Sequence, residues 1–132
     1  MILNKIILNN PGVDDIGAEL RRGEVRGSDA LELEPGPFAY VARVDYMVQG
    51  VVSVAWMGGL QAHDVLFSVA YEDNHGRLIE TLASEHLESD ADFAELLRAV
   101  AARGVVHLAI KRGGAWGRAA AAAEEARPRR DP

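Results

Sequence analysis

VLFSVAYEDNHGRLIETLA, residues 65–83, is the stretch on which the fold turns. Val65, Phe67, Val69 and Tyr71 recur with the period of two that places one set of side chains on one face of a β-strand. Asp73, Asn74, His75 and Gly76 are turn residues, and Asn or His tolerates the positive φ that such turns need. Arg77–Ala83 then returns, so the stretch predicts an antiparallel hairpin. It also carries the densest chemistry in the chain. His63 and His75 bracket the strand, with Asp64, Glu72 and Asp73 close by. With Val65–Glu72 extended at about 3.3 Å per residue, the two histidine backbones stand more than about 20 Å apart. Metal–ligand bonds are about 2.0–2.2 Å, so His63 and His75 cannot share an ion.

Working outward, FAYVARVDYMV (residues 38–48) also alternates. Phe38, Tyr40, Ala42, Val44, Tyr46 and Val48 take one face, predicted as the core face, and Ala39, Val41, Arg43, Asp45 and Met47 take the other. Gln49 and Gly50 form a two-residue connection into a further strand, VVSVAWM, and GGLQAHD is a loop. Four successive strands with short connections make a meander. ALELE (residues 30–34) is a short alternating strand before it, and Ile2–Leu8 another at the N-terminus. Between them Val13, Ile16 and Leu20 have helical spacing. Asp14 and Asp15 fall in the first turn, Arg21 and Arg22 in the last, and Gly23 is a stop, which predicts a short amphipathic helix. A second helix follows Ser89, with Phe93, Leu96, Leu97, Val100 and Ala101 on one face and Gly104 ending it; VVHLAIKR is the strand after it. The Ala- and Arg-rich end has no apolar face beyond its alanines and reads as a frayed tail, transiently helical at most from Arg118 to Ala126.

The expectation is an α+β fold: an antiparallel β-meander sheet of five to six strands packed with two amphipathic helices. Residues 1–112 form the single domain and 113–132 a flexible Ala/Arg-rich tail. A chain of 132 residues loses roughly two-thirds of its unfolded surface on folding, enough for a core without staples. The absence of cysteine excludes disulfides, thiolate metal sites and a cysteine nucleophile. No apolar run approaches the length of about 18 residues needed to span a bilayer, and no signal-type segment opens the chain. A cytoplasmic location with no membrane contact is expected.

Residues 1–110 carry eight Lys and Arg against 17 Asp and Glu, whereas residues 111–132 carry six against three. An acidic body repels phosphates, so direct nucleic-acid binding is not expected and a basic protein partner is. Arg127, Arg129 and Arg130 read as solvated charges.

Catalytic signals are weak. Ser53, Ser68, Ser84 and Ser89 lie in no nucleophile elbow. The glycines of GGLQAHD and KRGGAWG do not open a phosphate-binding helix. Arg26, Gly27 and Asp29 are interrupted by Ser28, and His107 alternates with Val106 and Leu108 as a partly buried histidine. The predicted hairpin places Ser84, Glu85 and His86 near the sheet end that holds His63 and Asp64. A His63/Asp64/Glu85/His86 cluster would suit zinc or another divalent ion, with a metal-dependent enzyme as the alternative function. Otherwise the residues call for no cofactor, metal or catalytic group. The leading expectation is a small acidic non-enzymatic interaction protein of inhibitor, immunity, adaptor or virion accessory type. It would bind a protein partner through an acidic surface and a sheet face or edge. The candidate partner-binding residues are Glu32, Glu34, Glu72, Asp73, Glu85, Glu88, Asp90 and Asp92. Val41, Met47, Val51, Ala55 and Met57 form an outward apolar face that a helix, a partner or a second copy in a homodimer would cover.

Overall fold

The computed structural model describes residues 3–27 and 31–128. Along the chain run β1 (Asn4–Asn10), β2 (Ala18–Val25), β3 (Gly36–Val44), β4 (Met47–Val48), β5 (Val51–Val52), α1 (Val54–Gly58), β6 (Val65–Glu72), β7 (Leu78–Leu82), α2 (Asp90–Val100), β8 (Gly104–Lys111) and α3 (Gly114–Glu125). Six strands form one sheet in the order β1-β8-β6-β3-β2, with β7 paired to β6 beyond the point where β3 leaves it; β4 and β5 form a second, two-stranded sheet. Every pairing is antiparallel. The mixed α+β fold agrees with the expectation, and so does the 65–83 hairpin, in which Ser68 pairs with Leu82 and Glu72 with Leu78. Its turn is closed by Asp73, whose Oδ1 accepts from the N–H groups of His75 and Arg77, with Gly76 at φ 74°.

The predicted helix at residues 11–23 is instead β2. Gly17 has a positive φ, and Ala18–Val25 pairs with β3, placing Glu19 opposite Arg43. The register shifts at a bulge after Glu19; beyond it Leu20 and Val25, five residues apart in regular pairing, point to opposite faces and enter the larger and the smaller core. No strand forms at residues 31–34, and Ile2, Ser28, Asp29, Ala30, Arg129, Arg130 and Pro132 lie outside the described residues. β3 ends at Val44, and both of its faces are buried: Ala39 and Val41 face the larger core, Phe38 and Tyr40 the smaller. A single core face was therefore the wrong reading, since a central strand covered on both sides loses its polar alternation.

The larger core joins Leu8, Val69, Val106, Leu108 and Ile110 to Leu96, Ala99 and Val100 of α2. Ser89 caps α2 by accepting from the Asp92 N–H. Across the sheet, the segment expected as a flexible tail is α3, from Gly114 to Glu125, packed on β2, β3 and β6. Ala119 and Ala120 are buried there, and Trp116 packs edge-on against Phe38 and Phe67 with centroids 5.8 and 5.4 Å away. Small side chains let the helix approach closely. At Gly23 of β2, an added Cβ would lie 2.8 Å from the Cβ of Ala123. The Tyr40 hydroxyl donates to Glu124, which also pairs with Arg21, so a part-buried polar tie fixes the far end of α3.

Candidate functional site

The sequence-predicted metal cluster does not assemble. Among the described residues, no group of three or more His, Cys, Asp or Glu is placed to hold a metal ion. Asp64 is buried and committed elsewhere: its two oxygens accept from Nε and Nη2 of Arg112, both at 2.8 Å, and from the Gln61 N–H at 2.9 Å. The Asp64 hydrogen bond holds the Arg112 pKa above its ordinary value, against the opposing effect of burial. His86 lies against the Leu82 carbonyl and within 3.5 Å of Glu95. His63 takes a positive φ, donating its N–H to the Val41 carbonyl, and sits beyond the opposite end of β6 from His75. His107 is half-buried between Ala70 and Ile7 in register. Ser53 and Ser89 serve as helix caps.

The acidic candidates divide similarly. Glu32 pairs with Arg118 and Asp90 with Arg22, whose guanidinium also lies over the Phe93 ring; Asp73 builds its turn. Asp92 stands in the first turn of α2. Glu34, Glu72, Glu85 and Glu88 are exposed, but Glu72 and Glu85 fall at opposite ends of the β6–β7 hairpin. Four arginines (Arg21, Arg22, Arg26 and Arg127) line a cleft of about 610 Å³ between β2 and the end of α3. There, Arg21 and Arg127 are drawn to Glu124 and Arg22 to Asp90. Glu32 and Asp90, with Arg21, Arg22 and Arg127, thus tie elements together, whereas Glu34, Glu72, Glu85 and Glu88 stay in solvent.

A different feature stands out. The excursion between β3 and β6 is an arm, not a long strand. Gln49 (φ 49°) and Gly50 (φ 80°) both take positive φ, the geometry of a type I′ hairpin turn, linking β4 to β5. The Ser53 hydroxyl then donates to the Asp45 carbonyl and accepts from the Trp56 N–H, capping α1. The arm backbone is tied down by Asp45 N–H to the Gly17 carbonyl (2.7 Å), Ala55 N–H to the Ile16 carbonyl (2.8 Å) and Arg112 Nη2 to the Gly59 carbonyl (2.8 Å). α1 rests on β1 so closely that a Cβ at Gly58 would lie 2.7 Å from the Ile7 carbonyl oxygen.

What this fixed backbone presents is apolar. Tyr46 and Trp56, stacked edge to face at 5.0 Å, are 54% and 51% exposed; Val51 is 69% and Met57 77% exposed. Of the five residues expected on one outward strand face, Met47, Val51 and Met57 are exposed on the arm, whereas Val41 and Ala55 belong to the core. The difference arises because VSVAWMG turns into a helix at Val54. Between the arm, β1 and the 11–15 loop opens a cleft of about 630 Å³. Ile7, Val13, Val51 and Met57 line it, with Asp14 and Asp15 at its margin. Sequence reasoning placed Met47, Val51 and Met57 outside but missed the cleft, because it depends on loop 11–17 coming back beneath the arm.

Comparison with known protein families and with curated proteins finds no match to this chain. Among the described residues, no helix is long and apolar enough to cross a membrane.

Proposed function

We propose that this chain is a small, non-enzymatic, cytoplasmic interaction protein of the inhibitor, immunity, adaptor or virion accessory type, holding a protein partner on the 46–58 arm. One observation carries the reading: Tyr46, Met47, Val51, Trp56 and Met57 are exposed on a backbone that hydrogen bonds hold to the domain. Aromatic and Met side chains are enriched at the centres of protein interfaces, and rigid presentation lowers the ordering cost of binding. The acidic candidates lend a longer-range field that speeds encounter with a basic partner. Glu32 and Asp90 are engaged by arginines, and Glu72 and Glu85 lie at opposite ends of the β6–β7 hairpin, so the acidic residues form no single patch and are secondary to the arm.

The test compares the wild-type chain with Val51→Asp and Met57→Asp variants, whose side chains are exposed and whose circular dichroism should be unchanged. A partner retained from cell extract by the wild type, absent from both variants, and protecting residues 46–58 from amide hydrogen exchange is the expected result. Equal retention by the variants overturns the arm as the docking surface.

A further inference from the structure

We propose that the cleft beside β1 receives a segment of the partner protein in which an apolar side chain lies close to a Lys or Arg. This rests on the arm being the docking surface and adds the chemistry of its ligand. The cleft, about 630 Å³, falls within the size range of ligand pockets. Val13 and Ile7 on one side, and Val51 and Met57 on the other, remain solvent-exposed in the isolated chain, so an apolar side chain entering between them removes surface from both. The margin has the opposite character. Among the described residues, exposed Asp14 makes no ion pair, and Asp15 uses one oxygen to accept from the Gly17 N–H at 2.8 Å and leaves the second without a partner. Two carboxylates beside an apolar floor fit a cation on a short tether from an apolar anchor. The overall charge of −6 favours approach of such a segment.

The mode of docking follows from Gly58. Because α1 is packed against the Ile7 carbonyl, the β1 edge there is closed to strand addition. Recognition is therefore by side chains entering the cleft. The arginine-lined cleft beside α3 does not compete for this segment, since its charge has the wrong sign.

The experiment selects a random phage-displayed peptide library on the immobilised full-length chain and measures a synthetic peptide of the enriched sequence by calorimetry. Enriched sequences should share an apolar residue within a few positions of Lys or Arg. Affinity should fall about fivefold in Asp14→Asn/Asp15→Asn, be weakened by salt, and be lost in Val51→Asp. Asn at position 15 keeps an oxygen for the Gly17 N–H, so that variant probes charge and not folding. Enriched peptides without basic residues, or affinity unchanged by the Asn pair and by salt, overturn this proposal while leaving the arm reading intact if Val51→Asp still abolishes binding. Binding unaffected by Val51→Asp overturns both. Selection yielding no peptide above a Val51→Asp control overturns the cleft.

Discussion

Replacing Arg112 with Met keeps most of the aliphatic stem and removes the guanidinium, leaving the Asp64 carboxylate with the Gln61 N–H as its remaining partner. The Asp64 side chain is 1% exposed and that of Arg112 34%. Breaking a buried pair costs about 3–5 kcal/mol; partial exposure of the arginine admits water, so we expect a loss of about 2–3 kcal/mol. Asp64→Asn should cost less, about 1 kcal/mol, because the amide oxygen still accepts from Gln61 and the remaining cation reaches solvent. In the double variant no charge is stranded, and at least about 1 kcal/mol of the Arg112→Met loss should return. Urea unfolding at neutral pH, followed by circular dichroism in all four proteins, measures the cycle. A loss below about 1 kcal/mol for Arg112→Met, or strict additivity in the double variant, refutes the view that this ion pair bears the load. The same substitution removes the hydrogen bond to the Gly59 carbonyl, so hydrogen exchange across residues 53–60 should quicken.

The Tyr40 phenol is pushed from 10.0 up to about 12, first by burial and then by Glu124. A raised folded-state value stabilises below the unfolded value and is lost as pH climbs through the folded one, so stability should fall between pH 10.0 and about 12. Phenolate absorbance should show a late-titrating tyrosine that is absent in Tyr40→Phe, and its persistence there would contradict the assignment. At Gly23, an Ala methyl would meet Ala123 at 2.8 Å and the Phe38 ring at 2.9 Å. Overpacking of this kind costs about 1–3 kcal/mol, so Gly23→Ala should lower the thermal midpoint; an unchanged melt would show that α3 is not seated on β2.

The 65–83 hairpin and α2 were legible because each satisfies a local rule without competition: strict alternation bounded by turn residues, and an apolar stripe between Ser89 and Gly104. β2 was not. Its two buried residues beyond the bulge, Leu20 and Val25, enter different cores, which erases the period of two and leaves Val13, Ile16 and Leu20 at helical spacing. Its charged residues belong to cross-strand and helix pairings, Glu19 with Arg43 and Arg21 with Glu124, that no local window contains. The helical character of the alanine-rich end was visible, but its docking was not. Alanine gives a weak apolar signal, yet Ala119 and Ala120 are buried in the smaller core and Ala123 permits the close approach to Gly23. Asp64 was visible as a candidate ligand, whereas its commitment to Arg112, 48 residues away, is tertiary.

The arm depends on several of these tertiary contacts at once. Strands as short as β4 and β5 do not hold a hairpin by themselves. This one persists because residues on either side of it are fixed: Asp45 and Ala55 by loop 16–17, Ser53 by Asp45, and Gly59 by Arg112, which Asp64 in turn orients. Most of those ties are buried or backbone groups, while the side chains they present outward are Tyr46, Met47, Val51, Trp56 and Met57. A connection that merely joined β3 to β6 would gain nothing from holding large apolar groups in water. Hydrophobic burial would favour turning them inward, and the fixed backbone prevents it. Large apolar side chains are exposed elsewhere too, Leu31 and Leu78 among them, but on the arm five stand together on one hydrogen-bonded backbone, an arrangement that makes physical sense when a partner supplies the missing burial.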